Sequence, residues 1–348
     1  MILIASSPAD SHADHVEACL AARGAAFVRY DPAEFPAAST FGIDGAPDGR
    51  MTARLRRGAA HIDFAAVDCV WYRRPGLSTA DDAMRPWLAG VEAECDDFIR
   101  DMWSILDSRF VPGRPLAIRQ AQLKMHQLKV AGALGFTLPP TLVTNDPAEL
   151  LDFHRRHAGQ VISKQVGFSL LLGLPTKTYR FTEMITSRDL AYTESLRYCP
   201  AIFQAYVPKA FELRITVVDR QVFAAEIDSQ ATHHTRIDWR RYDHYHTTYR
   251  PHPLPAGIHR RCLDLVARLG LVYGAIDMIV TPDGEYVFLE INPNGQYLWV
   301  ERKSGLPITD ALCDLLIDGP SAAPGPAAAP DTPLAAHANM PTVPIRVP

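Results

Sequence analysis

The sequence predicts a mixed α/β (α+β) chain built in two or three lobes. Three observations carry that reading: an opening strand, helix and strand over residues 1–30, a hairpin pattern over residues 211–228, and a second hairpin pattern within residues 273–301. With 348 residues, 47% of them hydrophobic, the chain can bury a sizeable core.

Charge and cysteine content narrow the function classes. The 35 basic against 39 acidic residues leave a net charge of −4, which gives no general case for nucleic acid or membrane as a partner. Cys19, Cys69, Cys95, Cys199, Cys262 and Cys313 are scattered without a C-x-x-C pair, so reduced thiols are expected. No basic segment precedes an apolar stretch at the start, and no apolar run approaches about 18 residues, so a cytoplasmic protein is expected.

In chain order, residues 1–6 read as a strand, residues 12–23 as a helix stopped by Gly24, and residues 27–30 as a second strand. The glycine fingerprint of a dinucleotide site is missing between them, and this lobe is expected to be a scaffold. Residues 67–74 read as a buried strand whose polar end, Arg73 and Arg74, either meets an anion or is merely solvated. Residues 82–106 carry Trp87, Leu88, Val91, Phe98, Ile99, Met102, Trp103 and Leu106 at helical spacing, and these are expected in the core. Pro112 and Pro115 mark a linker before a helix over residues 119–134, ended by Gly135.

A strand over residues 141–144 precedes a helix that Asp146 can cap, with Pro147 at its first position. Residues 161–165 are strand-like, and Lys164 there is either a snorkelling edge residue or a phosphate contact. Residues 167–173 form a glycine-poor loop beside it. Residues 202–207 read as a connecting strand ending at Pro208. In the hairpin of residues 211–228, Glu212, Arg214 and Thr216 share a face; a three-residue loop around Asp219-Arg220 would add Glu226 and Asp228 to it, a two-residue loop would not. His233, His234, His244 and His246 lie in a polar stretch without the spacing of a zinc site. An amphipathic helix over residues 258–269 leads into the last hairpin, and after Gly319 an Ala- and Pro-rich tail cannot offset its ordering entropy and is expected to be disordered.

The last hairpin concentrates the chemistry. If Asp283 and Gly284 are its two turn residues, Asp277 faces Glu290, and Asn292 shares their face. Facing carboxylates repel unless a cation lies between them, and such oxygen donors suit Mg²⁺ that also binds phosphates. Ile276, Met278, Val280, Val287, Leu289 and Ile291 would form the opposite, core-facing side.

The segment Glu290-Ile291-Asn292 resembles the E-x-N closing motif of ATP-grasp enzymes, with Asp277 at the position of their upstream metal-binding acid. More narrowly, residues 1–315 resemble the ribosomal-peptide maturases of that superfamily, the microviridin-type or graspetide synthetases. The resemblance rests on residues 70–75 (VWYRRP), 212–218 (ELRITVV), 225–230 (AEIDSQ), 238–240 (DWR) and 288–299. It implies a three-lobed ATP-grasp fold: an N-terminal pre-ATP-grasp α/β domain over residues 1–115, a central lobe over 116–205, a C-terminal lobe over 206–318, and the tail over 319–348.

The resemblance further implies ATP and Mg²⁺ as cofactors. Lys124 and Lys164 would contact phosphates, the backbone of Gln204, Ala205, Tyr206 and Val207 would hold adenine, and Glu212 would face the ribose. Asp277, Glu290 and Asn292 would hold the metal, Arg214 would stabilise an acyl phosphate, and Arg73, Arg74, Asp238 and Arg240 would meet the substrate. The implied partner is a ribosomally made precursor peptide with a leader and an acidic core, and relatives often pair as a homodimer. Two other readings remain at this stage: a ligase adding amino acids such as glutamate to a protein or small-molecule acceptor, and a nucleotide-binding regulator without turnover.

Overall fold

The structure is a computed structural model that describes residues 1–81, 87–166, 182–231, 235–239 and 247–321. Arg240, the loop of residues 167–173, the four histidines of the polar stretch and the tail beyond residue 321 lie outside the described residues.

β1 (Ile2–Ser6), α1 (Ser11–Ala22) and β2 (Phe27–Tyr30) form the expected opening unit, with Asp10 capping α1 by accepting from His12 N at 3.0 Å. A meander of β3 (Thr40–Gly45), β4 (Met51–Arg57) and β5 (Ala60–Asp63) follows, which the sequence reading did not include. Its pattern is weak because Ala53, Leu55 and Ile62 are its only buried apolar residues, set among arginines and glycines. β6 (Cys69–Arg74), α2 (Leu88–Ile105) and β7 (Arg109–Val111) complete a parallel sheet of order β2-β1-β6-β7. Trp87, expected in the core, is 67% exposed; it precedes the first turn of α2, whose buried residues Ile99, Met102 and Trp103 lie toward the other end.

The single helix expected over residues 119–134 is two, α3 (Pro115–Ala121) and α4 (Lys124–Ala133), separated by the extended Leu123. Pro115 opens α3 instead of marking a linker, because a helix's first position needs no N–H. β8 (Thr141–Thr144), α5 (Pro147–Arg156), β9 (Val161–Lys164), β10 (Glu183–Met184), α6 (Ser187–Leu190) and β11 (Ala201–Ala205) build an antiparallel sheet of order β10-β9-β11-β8. Asp146 caps α5, accepting from Ala148 N at 2.8 Å.

β12 (Phe211–Val218) and β13 (Gln221–Ile227) are joined by the two-residue loop Asp219-Arg220, with Asp219 at φ 52°. Glu226 therefore pairs with Leu213 on the face away from Glu212 and Arg214. β14 (Tyr249–Pro251), α7 (Ala256–Arg268), β15 (Tyr273–Val280) and β16 (Tyr286–Asn292) complete a five-stranded antiparallel sheet of order β14-β13-β12-β15-β16. Two helices absent from the sequence reading, α8 (Leu298–Ser304) and α9 (Ile308–Asp318), then return the chain to its start. Leu312, Leu315 and Leu316 of α9 share a buried cluster with Ile4, Val16 and Leu20.

The last hairpin has a different turn from the expected one. Gly284 N donates to Thr281 O at 2.9 Å and Gly284 takes φ 84°, so the turn spans Thr281, Pro282, Asp283 and Gly284 and Val280 pairs with Tyr286. A bulge then restores the pairing of Asp277 with Glu290. Phe288, not Leu289, consequently pairs with Met278 in the core, and Leu289 turns toward the cleft beside Lys124 and Lys164.

Candidate active site

Three strands place the acidic cluster. Arg214 on β12 pairs across the sheet with Asp277 on β15, which pairs with Glu290 on β16. Arg214 Nη1 donates to both Asp277 oxygens, at 2.9 and 2.8 Å, in a region where both side chains are buried. Asn292 Nδ2 donates to Asp277 Oδ2 at 3.4 Å and to Glu290 Oε1 at 3.3 Å, which brings the three expected metal donors together. Turned over about its last torsion, the same amide would offer Oδ1 as a third oxygen. Among the described residues no group of three His, Cys, Asp or Glu side chains is placed to hold a metal; the set here is two carboxylates and an amide, hard oxygen donors that fit Mg²⁺.

The cleft between the four-stranded sheet of β8 to β11 and the five-stranded sheet of β12 to β16 is lined by Lys124, Leu128, Lys164, Ile202, Gln204, Leu289 and Glu290. Lys124 stands at the first position of α4 and ion-pairs with Glu290, while Lys164 lies at the end of β9 opposite Ile202. Gln204 is buried; its Nε2 donates to Thr141 Oγ1 at 3.0 Å, and its Oε1 has no hydrogen-bond partner among the described residues. The N–H groups of Ala205 and Tyr206 donate to Pro140 O and Gln160 O, each at 2.9 Å, so both are taken up within the protein.

Glu212 is buried and pairs with Lys209 Nζ at 2.6 Å. Burial pushes its carboxyl above the ordinary range, against the opposing pull of Lys209 and of a hydrogen bond from Ser229. Lys209 also donates to Ile237 O at 3.1 Å, next to the buried Asp238, which accepts from Thr182 N at 3.0 Å. Beyond it Trp239 packs on Trp299 with ring centroids 4.6 Å apart, and Lys303 lies over the Tyr249 ring.

Arg73 is buried, and Arg74 beside it is exposed. Arg73 Nη1 donates to Asn294 O at 2.5 Å and its Nε lies 3.2 Å from Asp10 Oδ2, so these two contacts run to the protein itself. The sequence reading also passed over Lys209, His12 and Gln127. Gln127 Nε2 donates to Ile291 O at 2.8 Å and Ile291 N donates to Gln127 Oε1 at 3.2 Å, which fixes β16 between its two site residues. Gln127 at helical spacing with Leu123, Val130 and Ala131 is its only sequence signal.

A fold of this kind, with a carboxylate and amide cluster facing two lysines across a cleft between antiparallel sheets, defines an ATP-grasp ligase. Solved structures narrow it further. The macrocyclase MdnC from Microcystis aeruginosa MRC, bound with precursor peptide MdnA, is 33% identical, with 91% of this chain and 99% of that chain covered and a TM-score of 0.79. A RiPP-associated ATP-grasp ligase of Chryseobacterium gregarium, in complex with ADP and a leader and core peptide, is 30% identical over 91% and 96% of the two chains, TM-score 0.82. Macrocyclase MdnB from the same Microcystis is 30% identical over 91% and 98%, TM-score 0.72. The chain belongs to this family of RiPP-associated ATP-grasp ligases. No family model matches the sequence, and no curated protein does.

Proposed function

We propose that the protein is an ATP-dependent macrocyclase that joins Asp or Glu side chains of a ribosomal precursor peptide to Ser or Thr hydroxyls, as esters, or to Lys amines, as amides. In the first step a peptide carboxylate oxygen attacks the γ-phosphorus of ATP and ADP leaves. In the second the hydroxyl or amine attacks the acyl carbon, phosphate leaves, and the nucleophile loses its proton. A carboxylate becomes a useful electrophile only once one oxygen can depart, and phosphoryl transfer asks mainly for positioning and charge neutralisation.

The observation that carries this reading is the convergence of Arg214, Asp277, Glu290 and Asn292 beside Lys124 in one cleft. Asp277, Glu290 and Asn292 would hold Mg²⁺, which supplies charge neutralisation at the phosphates when bound. Lys124 and Lys164 bind phosphate oxygens; Lys124 exchanges its Glu290 partner for phosphate. The backbone about Gln204 to Val207 holds adenine, Glu212 the ribose, and Arg214 the acyl phosphate. Asp238, Arg240 and Arg74 would serve the peptide, with the leader and acidic core as the bound ligand. The lobes divide at residues 115/116, 205/206 and 318/319.

Among the described residues no helix is long and apolar enough to cross a membrane, and the six cysteines are free thiols. We place the enzyme in the cytoplasm, where ATP and newly made peptides are both available. The deciding experiment is the intact mass of a precursor peptide incubated with the protein, ATP and Mg²⁺. Successive losses of water support macrocyclisation; a gain in mass would point to amino-acid addition, and an unchanged peptide with no ADP released would overturn the reading.

A further inference from the structure

The site residues come from the two antiparallel sheets and α4, yet the N-terminal parallel sheet reaches the site as well. β16 ends at Asn292, and the next residues carry the chain into α8. Three consecutive carbonyls of that passage are taken by side chains of Arg73, Tyr273 and Arg214. Arg73 Nη1 donates to Asn294 O at 2.5 Å and to Gly295 O at 3.5 Å, Tyr273 OH donates to Gly295 O at 2.8 Å, and Arg214 Nη2 donates to Gln296 O at 3.1 Å. The first amides of α8 are taken from the same side: Tyr297 N and Leu298 N donate to His12 Nε2 at 3.1 and 3.3 Å. Accepting two N–H groups requires an unprotonated Nε2, which its burial favours.

Arg73 and His12 are themselves held by one carboxylate. Asp10 Oδ2 lies 3.2 Å from Arg73 Nε, Asp10 Oδ1 lies 3.7 Å from His12 Nδ1, and Ser6 Oγ donates to Asp10 at 2.8 Å. Arg73 and Asp10 are 221 or more residues away in sequence from the carbonyls they help to fix. Apolar side chains could bind two lobes together at less cost than a buried guanidinium. What a guanidinium adds is direction, and here Arg73 is aimed at the carbonyls of Asn294 and Gly295, two and three residues after Asn292 and next in the chain to the Gln296 carbonyl that Arg214 holds.

We propose that Arg73 and His12 are positioning residues for the metal site, so that the N-terminal lobe sets the placement of Asn292 and of Arg214. This rests on the reading of Asp277, Glu290 and Asn292 as the metal ligands. Groups that orient metal ligands from behind commonly change metal affinity by about 10- to 100-fold when removed.

The test is Mn²⁺ binding by the full chain with saturating ADP, read from the loss of the free Mn²⁺ resonance, for the wild type and for Arg73→Met, Arg73→Lys, His12→Ala and Asn292→Ala. Circular dichroism and ADP affinity without metal are measured alongside. Arg73→Met and His12→Ala are expected to weaken Mn²⁺ binding about 10-fold or more while ADP binding without metal is kept, and Arg73→Lys to recover part of the loss. Because Arg73→Met leaves Asp10 without its cation, His12→Ala carries the test if the former does not fold. Folded Arg73 and His12 variants that bind Mn²⁺ like the wild type, when Asn292→Ala does not, would overturn the inference alone. Unchanged binding in Asn292→Ala would overturn the metal reading and the inference with it.

Discussion

Gly295 offers a test in which geometry fixes the size of the effect. A Cβ at this position would lie 2.3 Å from Ala275 Cβ, 2.8 Å from Arg214 Nη2 and 3.2 Å from Asn292 O. The arginine tip can move aside, but Ala275 belongs to β15, where it pairs with both Thr216 and Asn292. Ordinary contact starts at 3.4 Å, so the loop must retreat by roughly an ångström. Overpacking of this kind costs about 1–3 kcal/mol, and a displacement of ~1 Å beside reacting groups can cost ~100-fold in rate. Gly295→Ala is therefore expected to lower the denaturant midpoint and to slow ADP release with precursor peptide by about two orders of magnitude. Ala275→Gly alone should cost about 0.5–1 kcal/mol, and the double variant should recover both properties, with a coupling of roughly 1–2 kcal/mol. A Gly295→Ala protein with wild-type rate and stability, or a double variant no better than Gly295→Ala, would refute the argument.

Glu290→Ala should abolish water loss from the peptide, with stability changed by only about 0–1 kcal/mol because the Lys124 ion pair is partly exposed; full turnover in mass spectrometry would remove Glu290 from the metal set. Arg214→Ala takes the guanidinium away from the buried Asp277, and we expect a loss of about 3–5 kcal/mol in chemical denaturation. Arg214→Lys should fold and bind ATP while slowing peptide modification, and equal losses in both measurements would count against a role in chemistry. His12 is held neutral, its pKa lowered to about 3 by burial and by the Arg73 charge, with Arg74 and Arg302 adding to it and Asp10 opposing. The unfolded chain binds a proton below about pH 6.5 that the folded chain refuses until about pH 3, so stability falls as pH falls through that window, by up to ~5 kcal/mol. His12→Gln should flatten the pH dependence of the unfolding free energy there, and an unchanged slope would show that another group sets it.

The parts of the site that rest on local pattern were legible in the sequence. Asp277 faces Glu290 because β-strand alternation is reliable over a few residues, although the turn that joins them differs from the expected one and a bulge at Leu289 compensates for the extra loop residue. The same difference takes Leu289 out of the core and puts Phe288 into it. What the sequence hid was distance. Arg73 meets Asn294, and His12 meets Tyr297 across 285 residues, so neither pairing leaves a periodic trace. Nor do the strands from Thr40 to Asp63, since a half-exposed meander rich in arginine buries too few apolar residues to show an alternation. Lys209 stands three residues before Glu212, but only burial distinguishes that pair from a solvated one.

The strand that carries Glu290 and Asn292 is the outermost of its sheet, and its free side is already occupied. Phe288 N donates to Thr137 O at 2.9 Å, and the Gln127 side chain satisfies both the N–H and the C=O of Ile291 as a neighbouring strand would. An extended peptide cannot zip onto this border by main-chain pairing at Phe288 and Ile291, whether it is a client arriving for modification or another copy of the chain during folding. The glutamine thus acts as a one-residue selvedge: it stops the fabric of the sheet from taking on another thread between Glu290 and Asn292.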